Sequence, residues 1–148
     1  MATVRQLMKA KTDGTNYTVE KKDTVLKALE IMAQANISAV MVTENERIVG
    51  IFTERDYSRK CEIKGLSAKD TPVHALMTEK MFTVNPDTSM DDCMGLMNQH
   101  HIRHLPVVEN DKLAGMVSMR DVVDILISDR ESTIKGLENY ILGSGFST

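Results

Sequence analysis

The chain has 148 residues, of which 42% are hydrophobic and 26% are charged, which suits one compact domain or two half-size units sharing a core. Its 18 basic and 21 acidic residues give a formal net charge of −3, without the basic excess of a nucleic-acid-binding protein. No apolar run approaches the roughly 18 residues of a membrane span, and the two cysteines form no CxxC pair. These features predict a cytoplasmic protein without nucleic-acid or membrane partners.

An internal repeat organises the sequence. At an offset of 65 residues, apolar, turn and charged positions coincide: Thr18-Val19 with Thr83-Val84, Met32 with Met97, Gly50 with Gly115, and Arg55-Asp56 with Arg120-Asp121. Upstream, Val4 to Met8 matches Val73 to Met77 at an offset of 69, so the first copy carries a four-residue insertion between Lys11 and Asn16. The repeat predicts copies over residues 1–65 and 66–128, followed by an extension over 129–148.

Each copy predicts the same order of elements. Apolar residues at helical spacing follow the N-cap candidates Asp23-Thr24 and Thr88-Ser89. Two short apolar runs then flank a polar turn, which predicts a β-hairpin, and a second helix starts near Asp56 or Asp121. The unit is therefore β-α-β-β-α. Two copies predict an α+β fold with two small sheets, packed face to face as a pseudo-twofold pair, and a C-terminal helix.

The last predicted helix extends from Asp121 to Leu142, with Gly143 as its stop. Ile134, Leu137 and Ile141 fall on one face of this helix. The stripe is expected to pack back on the body, which is the commoner arrangement, and contact with a second copy is the alternative.

Each copy ends on the same motif, Gly50 to Asp56 and Gly115 to Asp121: a glycine, two apolar residues, a hydroxyl residue, two further residues and an aspartate. The glycine allows a close approach to the backbone. The hydroxyl and the helix-start N–H groups suit a phosphate or ribose oxygen, and the carboxylate can accept from both ribose hydroxyls. The same spacing predicts a capping box, which stabilises a helix start by about 1 kcal/mol. The residues leave both interpretations open.

The remaining chemical groups are less informative. His100, His101 and His104 have no cysteine or carboxylate beside them to complete a metal site, and a helix-to-strand turn is predicted between them. Cys93 is expected to be buried, whereas Cys61 is expected to be exposed, with no neighbouring base to activate it. No carboxylate set for phosphoryl transfer is present, so no enzymatic activity is expected.

The repeated unit resembles the CBS domain, and the tandem pair resembles a Bateman module, over residues 4 to about 128. Gly50 to Lys60, Ile102 to Val107 and Glu138 to Gly143 are similar to small stand-alone CBS-pair proteins of bacteria and plant organelles. The resemblance implies a non-enzymatic homodimeric sensor that binds an adenosine-containing ligand (AMP, ADP, ATP, NAD or S-adenosylmethionine) between the repeats. The alternative is a ligand-independent scaffold or dimerisation module that regulates a partner protein.

The resemblance also implies two ligand sites, each drawing on both copies. The first contains Tyr17, Ile37, Ser38, Ala39, Ser118, Arg120 and Asp121, with Asp121 on the ribose. The second contains Thr53, Arg55, Asp56, Phe82, Ile102, Arg103 and His104, with Asp56 on the ribose. Because Arg103-His104 corresponds to the uncharged Ser38-Ala39, the second site is expected to prefer the more phosphorylated ligand. His104 is expected to respond to pH between about 5 and 8.

Overall fold

A computed structural model describes residues 2–11 and 17–141. Its elements, in chain order, are α1 (Val4–Ala10), β1 (Thr18–Glu20), α2 (Val25–Ala35), β2 (Ala39–Glu44), β3 (Arg47–Thr53), α3 (Glu54–Asp56), α4 (Met90–His100), β4 (His104–Glu109), β5 (Lys112–Ser118) and α5 (Met119–Tyr140). A π-helical turn, Tyr57–Glu62, continues α3, and a 3-10 turn spans Val73–Ala75. This order confirms the α+β fold with two repeats and a C-terminal helix. The predicted stop at Gly143 and the insertion after Lys11 lie outside the described residues.

The two main packing helices start where the sequence predicts. Thr24 Oγ1 accepts a hydrogen bond from the backbone N–H of Lys27 at 3.1 Å, at the start of α2. Ser89 Oγ accepts from the backbone N–H of Asp92 at 3.0 Å, at the start of α4. Each cap satisfies an N–H group that has no partner inside its helix. Both predicted N-caps are confirmed.

The two repeats form separate small sheets. In the first, β1 pairs parallel with β2, and β2 pairs antiparallel with β3. In the second, β4 pairs antiparallel with β5, and the strand expected before α4 is reduced to one parallel bridge between Val84 and Val107. Both hairpins turn through two residues with positive φ, Asn45-Glu46 and Asn110-Asp111, as a tight hairpin requires. The predicted hairpins are confirmed.

The repeats exchange their N-terminal segments, which are residues 4–11 of the first repeat and 73–78 of the second. Val4 and Leu7 of α1 are 0% and 5% exposed and belong to the core of the second repeat. Conversely, Val73 and Leu76 lie in the core of the first repeat, together with Phe52. Each hydrophobic core is therefore completed by the segment that precedes the other repeat in sequence. The exchange ties the two units together because neither core is complete on its own.

Backbone hydrogen bonds hold both exchanged segments in place. The N–H of Val4 donates to the carbonyl of Thr88 at 2.9 Å, and the N–H of Val73 donates to the carbonyl of Asp23 at 2.7 Å. These bonds join each segment to the residues that begin a packing helix of the opposite repeat.

Gly50 lies where the second exchanged segment crosses β3. A Cβ atom on this glycine would stand 2.5 Å from the Met77 sulfur and 3.1 Å from the carbonyl oxygen of Thr78. Ile51 and Thr78 exchange backbone hydrogen bonds of 2.9 and 2.8 Å beside it. The predicted close approach at this glycine is confirmed, and the group that approaches is the chain itself.

The two cysteines are both buried. Cys93 lies on α4 in the second core, as predicted, and burial raises the pKa of its thiol to about 11. The expectation that Cys61 is exposed is wrong, because its side chain is 0% exposed. The π-helical turn after α3 directs Cys61 inward, and its sulfur lies 3.4 Å from the carbonyl oxygen of Leu66.

The second half of α5 extends away from the core. Val122 is buried, whereas Ile134, Leu137 and Ile141 are 56%, 58% and 47% exposed. The expectation that this stripe packs back on the body is therefore wrong within a single chain. None of the helices among the described residues is long and apolar enough to span a membrane.

Candidate functional site

The motif of the first repeat forms a capping box. Asp56 N donates to Thr53 Oγ1 at 3.1 Å, while Asp56 Oδ2 accepts from both the N–H and the hydroxyl of Thr53 at 3.1 Å. The N–H of Glu54 donates to the carbonyl oxygen of Ser38 at 3.1 Å. The start of α3 is thereby fixed against the residue that precedes β2.

The motif of the second repeat has the same geometry. Asp121 N donates to Ser118 Oγ at 3.1 Å, and Asp121 Oδ2 accepts from the N–H of Ser118 at 2.9 Å. The N–H of Met119 donates to the carbonyl oxygen of Arg103 at 2.8 Å. The capping interpretation is thus confirmed in both repeats, and a ligand role for these carboxylates remains a prediction.

Asp56 has two further partners that the sequence analysis missed. Its Oδ1 accepts from the Thr78 hydroxyl at 3.1 Å and lies 3.0 Å from Lys60 Nζ. Lys60 also donates to the carbonyl oxygen of Leu76 at 3.1 Å. The Asp56–Lys60 pair has the i,i+4 spacing of a helical ion pair and was visible in the sequence, whereas no local pattern indicated Thr78, which lies on the exchanged segment.

Asp121 has a different partner, which was also missed. Lys11 Nζ lies 2.9 Å from Asp121 Oδ2 and donates to the carbonyl oxygen of Met116 at 2.7 Å. The Asp121 side chain is 21% exposed, compared with 11% for Asp56. Lys11 is remote from the motif in sequence, so no spacing could have indicated this pair. Each motif aspartate is therefore contacted by the exchanged segment of the opposite repeat.

One hydrogen bond joins candidate residues across the two repeats. Ser38 Oγ lies 3.2 Å from Nε2 of His104. In the strand registers, Ala39 is opposite Thr53 and His104 is opposite Ser118. The structure thus brings the starts of β2 and β4 together, next to the two motifs. Arg103 and His104 lie beside the motif of their own repeat, and the grouping of these residues into two sites stays a prediction.

The aromatic and aliphatic candidates line the two repeats separately. Tyr17 and Ile37 pack against the core of the first repeat, and the carbonyl oxygen of Tyr17 accepts from the N–H of Met41 at 3.1 Å. Phe82 and Ile102 pack against the core of the second repeat. The Phe82 ring stacks on His100, with centroids 3.6 Å apart and planes at 12°.

The three candidate arginines have exposed side chains. Arg55 and Arg120 follow the motif hydroxyls, and Arg103 precedes β4. Within residues 2–11 and 17–141, none of the three lies within 4.0 Å of a carboxylate oxygen as an ion pair. Their guanidinium groups are therefore available to an anion, and a bidentate bond to phosphate is the contact they make best.

The pKa of His104 is displaced by its surroundings. Burial lowers this pKa, the Asp121 carboxylate opposes the effect, and the charges of Arg103 and Lys11 reinforce it. The imidazole is thus held neutral at a pH where a solvent-exposed histidine begins to take up a proton.

The displaced pKa predicts a loss of stability in acid. Because the folded-state pKa lies below the unfolded value of about 6.5, the contribution of His104 is full above about pH 6.5 and decreases as the pH falls through the folded-state pKa. We expect Tm to fall between about pH 7.5 and 5.5, and to fall less in His104→Gln. The exposed His101→Gln variant is the control; an equal fall in wild type and His104→Gln contradicts the prediction.

A separate concave surface contains none of the candidate residues. An open groove of about 710 Å³ lies along α4 and is lined by Thr83, Val84, Asn85, Thr88, Asp91, Asp92, Gly95, Leu96, Gln99 and Val108. It has no basic side chain among these residues, so it offers no charged group for a phosphate.

Two α+β repeats that exchange segments, each with a hydroxyl-and-carboxylate helix start after its hairpin, define a tandem-repeat module. Residues 4–62 and 73–128 both match the family model of the CBS domain. The chain belongs to the CBS domain family and is a tandem CBS module.

Proteins described as containing CBS domains align with most of the chain. The chain is 38% identical over 149 aligned residues to the CBS domain-containing protein CBSX3, mitochondrial, of Arabidopsis thaliana, covering 95% of this chain and 72% of the relative. A solved protein with CBS domains from Burkholderia ambifaria is 45% identical, with a TM-score of 0.83, covering 86% of this chain and 96% of that one. The CBS domain pair of protein MJ0100 shares the fold at 19% identity, with a TM-score of 0.73. The alignment covers 84% of this chain and 99% of that one. The cytoplasmic location expected from the sequence stays a prediction.

Proposed function

We propose that the protein is a non-enzymatic sensor that binds an adenosine-containing ligand between its two repeats. The observation that carries the proposal is the 3.2 Å contact between Ser38 and His104, which joins the repeats beside both motifs. A ligand at this junction would touch both repeats. Any difference in its affinity for two relative positions of the repeats would then shift the population between them.

The chemistry of the junction supports a ribosyl phosphate ligand. Asp56 and Asp121 are acceptors for ribose hydroxyls, and Ser118 lies at the start of the 22-residue helix α5, where N–H groups favour an anion. Arg103 and His104 are the proposed partners of a phosphate group. The two sets of seven residues predicted from the sequence are the proposed sites, and AMP, ADP, ATP, NAD and S-adenosylmethionine are the proposed ligand class.

A structural neighbour supports the adenosyl class. The CBS domain pair of MJ0100 is described in complex with 5′-methylthioadenosine and S-adenosyl-L-methionine. Both molecules share an adenine base and a ribose with cis hydroxyls, which are the groups that two motif aspartates suit. The likeness supports the adenosyl class of ligand.

A thermal-shift panel tests the proposal. AMP, ADP, ATP, NAD and S-adenosylmethionine are compared with guanosine nucleotides on protein freed of copurified nucleotide. A ligand at about 100 times its Kd adds about 2.7 kcal/mol of stability, which raises Tm by several degrees in a chain of this length. We expect at least one adenosyl ligand to give this shift and the guanosine nucleotides to give none.

A ligand-independent scaffold is the second candidate function. It is favoured by the capping boxes and the lysine partners, which already satisfy both motif carboxylates without any ligand. A scaffold predicts that no nucleotide raises Tm. If no nucleotide raises the Tm of the folded protein, the sensor function is wrong and the scaffold function takes its place.

We also propose that two copies associate through α5. Its exposed apolar residues are spaced by three, four or seven positions along one face: Val123, Ile127, Ile134, Leu137 and Ile141. Arg130 lies within this stripe and Glu138 lies beside it. In an antiparallel pair centred on Ile134, Arg130 of one copy faces Glu138 of the other, since each is four residues from the centre. This complementarity favours a second copy as the partner.

Sedimentation measurements test the association through α5. We expect a dimer for wild type at about 100 μM and a monomer for Leu137→Glu, because the substitution places a charge in the apolar contact. Ser132→Glu, on the opposite face, is the control and remains dimeric. Arg130→Glu should weaken the dimer, and adding Glu138→Arg should restore it; a monomeric wild type contradicts the proposal.

A further inference from the structure

Lysines from different parts of the chain neutralise the two motif aspartates. Lys60 lies one helical turn after Asp56, with Nζ 3.0 Å from Oδ1. At the 65-residue offset, Ile125 takes the position of Lys60, so the second repeat has no local cation there. Lys11, at the end of α1, supplies the missing charge at 2.9 Å from Asp121 Oδ2.

Lys11 occupies one of the two Asp121 oxygens that the cis hydroxyls of a ribose would use together. Asp121 Oδ2 accepts from Lys11 and from the N–H of Ser118, while Lys11 also donates to the carbonyl oxygen of Met116 at 2.7 Å. A ribose whose two cis hydroxyls bind both oxygens of Asp121 must therefore take Oδ2 from the ammonium group. An ammonium group that loses its carboxylate loses a charge-assisted hydrogen bond.

We propose that Lys11 determines which ligands the Asp121 site accepts, an inference that rests on the proposed adenosyl-binding function. A neutral ribosyl ligand displaces Lys11 from Asp121 and gives the Lys11 ammonium group no new anionic partner. A ligand with a phosphate or carboxylate supplies a replacement partner, and the flexible stem of lysine allows its ammonium group to follow that partner. Lys11 therefore selects anionic over neutral adenosyl ligands at this site.

The lysine beside Asp56 is not displaced in this way. Lys60 is on the same helical segment as Asp56, and its ammonium group is held by Leu76 O at 3.1 Å and Thr78 Oγ1 at 3.3 Å. The Asp56 side chain is also the less exposed of the two carboxylates. A cation held by its own helix and by two further oxygens is harder to redirect than Lys11, so selection by a displaceable lysine belongs to the Asp121 site.

The test compares AMP with adenosine, which differ only in the phosphate. Their Kd values are measured by titration calorimetry on wild type, Lys11→Met, Lys11→Arg and Lys9→Met. We expect Lys11→Met to bind adenosine more tightly and to lower the preference for AMP by about three- to tenfold. Lys11→Arg keeps the positive charge and the preference. Lys9→Met, an exposed change on the same helix, leaves both Kd values unchanged.

The outcomes separate this inference from the proposed function. An AMP preference that is unchanged in Lys11→Met, or that falls equally in Lys9→Met, overturns the role of Lys11 while leaving adenosyl binding intact. Failure of the wild type and every variant to bind adenosine or AMP, together with a thermal-shift panel in which no adenosyl ligand raises Tm, overturns the proposed ligand class, and the role of Lys11 with it.

Discussion

Replacing Leu7 by alanine should destabilise the protein by about 2–5 kcal/mol, and the damage should appear in the second repeat although Leu7 precedes the first. Leu7 is 5% exposed and packs in the core formed by α4, β4 and β5. Hydrogen exchange measures where protection is lost. We expect faster exchange in α4 and β4 than in α2 and β2 of the same variant.

Leu76→Ala is the matched variant. Leu76 occupies the corresponding place at the offset of 69 residues and is 8% exposed in the core of the first repeat. Its loss should therefore increase exchange in α2 and β2 before α4 and β4. If Leu7→Ala instead loosens α2 and β2 first, the exchange of segments between repeats is wrong.

Asparagine at the motif aspartates should remove most of the proposed ligand affinity. Asp121→Asn takes the negative charge from the proposed ribose acceptor and replaces one acceptor oxygen by an amide donor. Hydrogen bonds to charged groups contribute about 1.5–3 kcal/mol, so we expect Kd to rise by roughly ten- to a hundredfold. Calorimetric titration with the ligand that gives the largest thermal shift measures this change.

Asp56→Asn extends the same test to the other repeat. Because the Asp56 carboxylate caps α3 and pairs with Lys60, the variant should also unfold at a lower temperature, and its affinity is compared only at a temperature where it is folded. Asp92→Asn, an exposed change in the first turn of α4, is the control. Unchanged affinity in the double variant of Asp56 and Asp121 contradicts both proposed sites.

The local features of the fold were predictable because they depend on neighbouring residues. The caps at Thr24 and Ser89 and the two-residue hairpin turns follow from side chains within three or four positions. The offset of 65 residues predicted two copies of one unit for a similar reason, since matching patterns build matching elements.

The pairing of segments was not predictable, because the matching patterns are interchangeable. Val4 and Leu7 have the same spacing as Val73 and Leu76, and an apolar pair fits either core equally well by composition. Only the three-dimensional path of the chain assigns each segment to the opposite repeat. The contact between Lys11 and Asp121 depends on that path, so it was missed as well.

The exposed stripe on α5 and the buried Cys61 show a second reason why helical spacing alone did not predict burial. Helical spacing grouped Ile134, Leu137 and Ile141 correctly on one face, but spacing does not say whether the body of the chain reaches that far. Cys61 lies in a π-helical turn, where the wider helix changes which side chains point inward.

The most direct test of the sensor is to locate the bound ligand by amide NMR. Labelled protein is titrated with the adenosyl ligand that stabilises it most, and the shifts of backbone N–H signals are mapped on the sequence. The account predicts the largest shifts at Ser38, His104 and the motif residues 53–56 and 118–121. Shifts confined to the groove along α4, between Thr83 and Gln99, would contradict binding at the junction between the repeats.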